Sequence, residues 1–211
     1  MSALPRVTLI LAGSMMLAAS PAPSAAQEVG TLPVPLVEVS AGYTLLRGFD
    51  EKYPAGWYFS GGGNLTDWFG LVGEASGSYR SEDRSITVGT GALQISDKRQ
   101  VYAFMVGPRF FHRAGRIVPF GQVLAGVAHR RLQQTEARAG QTGLPAGVST
   151  WNPSYTDFAL QPGGGVAVYL TERVGLRVAG DYRCTVVLDD GAEAINELRF
   201  LAGFTFHWGT R

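Results

Sequence analysis

Apolar and polar residues alternate along most of the chain beyond residue 36. The period is two, which a β-strand produces by sending successive side chains to opposite faces. In 198–208, Leu198, Phe200, Ala202, Phe204, Phe206 and Trp208 share one frame, and Arg199, Leu201, Gly203, Thr205 and His207 share the other. The same division holds in 37–45, 57–65, 71–79, 102–110, 119–127, 158–168 and 174–182. The pattern predicts eight strands, of which 119–127 is the least decided because both its frames are largely apolar. The eight apolar frames hold 42 positions and no charged residue, where a 17% charged chain would place about seven by chance.

Which frame turns inward separates two architectures. A soluble barrel of the lipocalin kind holds an apolar interior and shows a polar outside. Here the second frame carries Glu38, Glu74, Arg109, Asp157, Arg177, Asp181, Glu197 and Arg199, with Ser40, Ser60, Asn64 and Gln161. A polar inside and an apolar outside is the arrangement of a transmembrane β-barrel. The fold expected is therefore all-β, a closed, eight-stranded, antiparallel, up-and-down barrel spanning residues 36–208. Such a barrel is just wide enough for side chains to fill it. Five carboxylates and three arginines in the interior frame are close to balance, so they are expected to pair and plug the lumen, because an isolated buried charge is costly. A narrow water path lined by the same charges is the alternative.

The connections support the same topology. They are expected at 47–54, 66–68, 81–98, 112–117, 130–155, 171–173 and 184–194, and longer and shorter ones alternate. Outer-membrane barrels have short periplasmic turns and longer external loops, which places both termini in the periplasm. Aromatics at strand ends suggest two interfacial girdles. Tyr43, Trp57, Tyr79, Tyr102 and Tyr182 fall toward the outer rim. Trp68, Phe69, Phe110, Tyr169, Phe206 and Trp208 fall toward the other.

Composition narrows the partners. Of the 211 residues, 28 are glycine, and 18 basic side chains face 17 acidic ones. No basic excess remains to neutralise phosphates, so nucleic acid is not an expected partner. The single cysteine, Cys184, excludes an internal disulfide and a multi-cysteine zinc site. No cofactor or metal site is expected. The glycine runs at 61–63 and 163–165 lie within strand patterns with no helix after them, so they suit close packing rather than phosphate binding. At the N-terminus, Arg6, an apolar run over 7–19 and Ser24-Ala25-Ala26 read as a secretory signal cut before Gln27. That reading gives a signal peptide over 1–26 and a leader over 27–35.

On these features the chain resembles the small eight-stranded outer-membrane barrels: the OmpA transmembrane domain, the OmpX-type proteins and the opacity-type adhesins. The most specific element is Gly203-Phe204-Thr205-Phe206-His207-Trp208, which is similar to their C-terminal assembly signal in Gly203, Phe206 and Trp208. Leu201 and the three residues after Trp208 depart from it. The resemblance implies insertion by the barrel assembly machinery, contact with outer-membrane lipids, and a structural or adhesive envelope role. Only three residues follow Trp208, so a peptidoglycan-binding domain like that of full-length OmpA is not expected. A barrel-type lipid A deacylase would place a serine two residues after a histidine. His112, His129 and His207 are instead followed at that spacing by Ala114, Arg131 and Gly209, so no catalysis is expected. The external loops carry mixed charge, and Arg130-Arg131 is the candidate contact for lipopolysaccharide phosphates.

Overall fold

The structure is a computed structural model and describes residues 34–48, 51–88, 91–139, 147–187 and 193–210. The proposed signal peptide and nearly all of the leader lie outside these residues. The chain forms ten strand segments. They are β1 (Pro35–Gly48), β2 (Lys52–Tyr53), β3 (Ala55–Asn64), β4 (Phe69–Val88), β5 (Gly91–Phe111), β6 (Ile117–Ala139), β7 (Gly147–Trp151), β8 (Ser154–Tyr169), β9 (Val174–Val187) and β10 (Glu193–Thr210).

Two prolines reduce these ten segments to eight walls. Pro54 separates β2 from β3, and Pro153 separates β7 from β8. Proline has no N–H to give to a ladder, so each interrupts its strand near an end. Every neighbouring pair is antiparallel, and β10 pairs with β1 from Val37↔Trp208 through Gly48↔Glu197, which closes the barrel. At this seam the inward glycines Gly42 and Gly203 face each other. A Cβ on Gly203 would stand 2.2 Å from the Ala41 carbonyl and 2.7 Å from the Tyr58 hydroxyl, so the seam admits no side chain there.

The faces follow the sequence pattern. Val106 and Val178 are each 62% exposed on the outside, whereas inward Ser40 and Gln161 are 0% exposed and Arg177 is 2% exposed. On β6, the undecided strand, Phe120, Gln122 and Leu124 are buried and Val123 and Val127 are exposed. Three apolar clusters fill the lumen between polar tiers. Tyr58, Phe111, Val118, Phe120 and Tyr169 lie toward the end holding the termini. Val72, Met105 and Leu124 lie in the middle. Leu46, Tyr53 and Val101 lie at the far mouth.

The turns at the terminal end match expectation. Two are built alike: Leu65-Thr66-Asp67-Trp68 and Leu170-Thr171-Glu172-Arg173. Thr66 Oγ1 accepts from Phe69 N (3.0 Å), and Thr171 Oγ1 accepts from Val174 N (3.0 Å). In the third, Gly115 has φ 130°, a conformation that favours glycine. The far-end connections differ from expectation. Residues 81–88 and 91–98 continue β4 and β5 as one long hairpin, paired to Val88↔Gly91. The span 130–155 is mostly β6 and β7, and 184–187 and 193–194 extend β9 and β10. Beyond a membrane a strand can be polar on both faces, and charges stand in both frames of 81–88 and of 91–98.

Candidate functional site

The lumen holds the densest chemistry in the molecule. At the terminal end Glu38 is its centre. Arg177 Nη2 donates to Glu38 Oε2 (3.0 Å), and Arg113 Nη2 and Asn64 Nδ2 donate to Oε1 (3.0 and 3.1 Å). Arg113 rises from the β5–β6 turn and folds back into the barrel. Its Nε donates to the Asp67 carbonyl (2.9 Å), its Nη1 donates to Tyr169 Oη (2.6 Å), and its guanidinium covers the Phe111 ring at 4.2 Å. His207 packs against Tyr169 with ring centroids 4.4 Å apart.

The middle tier centres on Arg199. It pairs with Glu74 (2.6 Å) and donates through Nε to Asp181 Oδ2 (3.1 Å). Glutamines link this tier to its neighbours. Gln122 takes two hydrogen bonds from Arg109 (2.9 and 2.7 Å) and donates to Asp181 Oδ1 (3.0 Å). Gln161 donates to Glu74 (3.3 Å) and accepts from Arg183 Nε (2.9 Å). At the far end Glu197 pairs with Arg130 (3.1 Å) and Arg183 (4.0 Å). Tyr53 above it donates to Glu51 (2.6 Å), which also pairs with Arg99.

Seven of the eight proposed lumenal charges thus line one column, but their partners differ from a simple pairing of carboxylates with Arg109, Arg177 and Arg199. Arg109 meets an amide and the Phe120 ring at 5.0 Å; among the described residues it has no carboxylate partner. Asp157 is half-buried near the far rim and joins none of these contacts. Three cations that strand counting left out come in from the ends: Arg113, Arg130 and Arg183. The balance therefore changes sign, with six arginines and four carboxylates no more than 13% exposed.

The Arg130-Arg131 pair is split. Residue 130 continues the inward frame of Leu124 and Ala128, so Arg130 turns to Glu197 and is not free for a lipid phosphate, while Arg131 is exposed. The same parity moves Tyr169 from the expected lipid-facing girdle at the terminal rim into the lumen, where it is 6% exposed. Trp68 and Phe110 stack outside at 6.1 Å, as do Phe206 and Trp208 at 6.2 Å. Gly203 lies at the closing seam. His112 sits in a terminal turn, and His129 faces outward with Nδ1 2.8 Å from Thr156 Oγ1. No group of three or more metal-ligating side chains occurs among the described residues. Outside the barrel, Arg80 hydrogen-bonds Glu82 and holds its carboxyl below the usual range.

Solved structures share this architecture. Ail, the attachment invasion locus protein of Yersinia pestis, in complex with the heparin analogue sucrose octasulfate, matches with a TM-score of 0.50 and 13% identity, over 82% of this chain and 96% of that one. This chain has the fold of a small eight-stranded outer-membrane barrel. Neisserial surface protein A also matches, with a TM-score of 0.46 and 12% identity over 82% of this chain and 96% of that one. The N-terminal barrel domain of Pseudomonas aeruginosa OprF gives 0.39 and 19% over 80% and 97%. No protein-family model and no curated protein matches the chain.

Proposed function

We propose that the protein is a non-enzymatic outer-membrane barrel that anchors a projecting β-structure at the cell surface, with a lumen closed by side chains. One observation carries this reading: the charged frame is buried inside, while the apolar frame is exposed around the whole wall. In water that surface would aggregate; in a bilayer it is the lipid-facing band. The continued strands of β4, β5, β6 and β7 extend well past this band at the far end and suit contact with an external partner. The attachment role in the name of Ail is in keeping with such a surface. The mixed charge of the projection does not single out an anionic glycan as the partner.

In this orientation the termini face the periplasm and the hairpins face outward. The C-terminal Gly203, Phe206 and Trp208 then present the signal read by the assembly machinery. The three polar tiers favour a closed lumen over a pore. Gel mobility of boiled and unboiled protein tests the barrel, and protease treatment of intact cells tests its direction. We expect a shift on heating and cleavage within 81–98 or 130–155. Protection of those segments in intact cells, with cleavage only after the envelope is opened, would overturn the orientation.

A further inference from the structure

The outer wall carries glycines that the barrel itself does not require. Gly61 and Gly73 face outward on β3 and β4 and pair directly. A Cβ on Gly61 would meet nothing within 4 Å, and one on Gly73 would meet only the Gly61 carbonyl at 4.0 Å. Inward glycines such as Gly107 and Gly203 have no such room. Glycine weakens a strand interior and often marks a close approach, and here the approach can only come from outside the chain. With Ala75 and Ala125 these glycines floor a shallow groove of about 520 Å³, flanked by Phe59, Phe104 and Val106. Glu74, Met105 and Gly126 also border it, but they belong to the inward frame.

The groove lies below an exposed cation. The row of paired residues through Gly61 and Gly73 runs from Val39, near the terminal end, to Asn196, near the far end. Rows therefore climb toward the far end from β1 round to β10. A line dropped along the barrel axis from Arg131 on β6 accordingly passes Tyr102 on β5 and Ala75 on β4 before it reaches Gly73. With strands tilted about 45°, that drop is about 20 Å, half of a bilayer of about 40 Å with its headgroups. Arg131 is exposed, faces outward between Gln100 and Ser154, and has no ion pair among the described residues. Between it and the groove lies an aromatic belt, in which Trp57 Nε1 donates to Tyr79 Oη (2.9 Å) and the Tyr79 and Tyr102 rings meet edge-on at 5.9 Å.

We propose that this column seats one lipopolysaccharide molecule, with a lipid A phosphate on Arg131 and the end of an acyl chain in the groove. The proposal rests on the outward direction of the hairpins, which places Arg131 at the outer leaflet. A guanidinium fork matches phosphate oxygens. The groove gives a chain apolar contacts on its floor and both flanks, where a flat wall gives one side only.

Native mass spectrometry of the full barrel, refolded in detergent and offered lipid A or phosphatidylethanolamine, reads this out. One lipid A should stay bound under activation that strips phosphatidylethanolamine. Gly73→Leu, which fills the groove, and Arg131→Gln should each lose it, and Ala202→Leu on the opposite wall should keep it. If Gly73→Leu fails to show the heat-shifted gel form of a folded barrel, Gly61→Leu fills the same groove. Retention in the groove-filling variant, equal retention of phosphatidylethanolamine, or a lipid-free dimer that Gly73→Leu dissolves would overturn the seat. Purified barrel reads the seat whatever its direction in the membrane, and protease treatment of cells reads the direction alone, so the two failures are distinct.

Discussion

Arg199 shows how one side chain orders this lumen. A single guanidinium spans Glu74 on β4 and Asp181 on β9, two strands on different sides of the barrel. Its planar fork suits two carboxylates at once. Arg199→Met should leave two carboxylates facing each other in a dry site, at a cost of about 3–5 kcal/mol if the site stays closed to water. Urea unfolding in micelles checks this. Adding Glu74→Gln should recover part of the loss, as a double-mutant cycle would show. An Arg199→Met barrel as stable as the original would mean that water already solvates Glu74 and Asp181. Glu82, on the projecting hairpin, is a milder case. Its hydrogen bond from Arg80 lowers its pKa, so the contact is intact above the ordinary carboxylate range and is lost as pH falls through the lowered value. A carbon-detected NMR titration should find the Glu82 midpoint below that of a free glutamate, and Arg80→Gln should return it upward.

At the scale of elements, the membrane decides what a sequence reveals. Lipid excludes charge from one face of each wall, so that face is legible down to single positions such as Val106 and Val178, and least so on β6, where both frames are largely apolar. Val106→Arg should cost about 2–4 kcal/mol of barrel stability, whereas Val106→Leu should change little. Equal stability of the two variants in bilayers would place that face away from lipid. Past the lipid boundary the constraint ends, and with it the signal. Residues 81–98 read as a loop because neither frame there is apolar, yet they pair residue by residue as β-hairpin. The missed lumenal cations have the same origin. Arg130 and Arg183 lie just beyond the readable stretches 119–127 and 174–182, although carrying the frame forward by three residues and by one turns both inward. Arg113 was not accessible that way, because it reaches Glu38 from a turn rather than from a strand. The repeated Leu-Thr-acid turn was present in the sequence but carries no periodic signal.

For the whole molecule, the three tiers are closed by unlike means, and this sets what opening the barrel would require. The terminal mouth is tied by Arg113, which joins the Asp67 carbonyl, Tyr169 and Glu38 from three segments. The middle is filled by Arg199 with its carboxylates and by Met105 and Leu124. The far mouth is capped by Leu46, Tyr53 and Val101. Because these barriers lie in series, an ion must pass all three, and removing one should not create a path. We therefore expect planar-bilayer recordings to show no steady conductance for the native barrel, for Arg113→Ala or for Tyr53→Ala. Combining Arg113→Ala, Tyr53→Ala and Arg199→Ala should produce brief openings, limited by the unstable middle tier. Steady conductance in Arg113→Ala alone would show that the middle and far tiers already pass ions and that the turn is a gate. The lumen would then be a pore held shut at one mouth, and the anchoring role would have to share the barrel with transport.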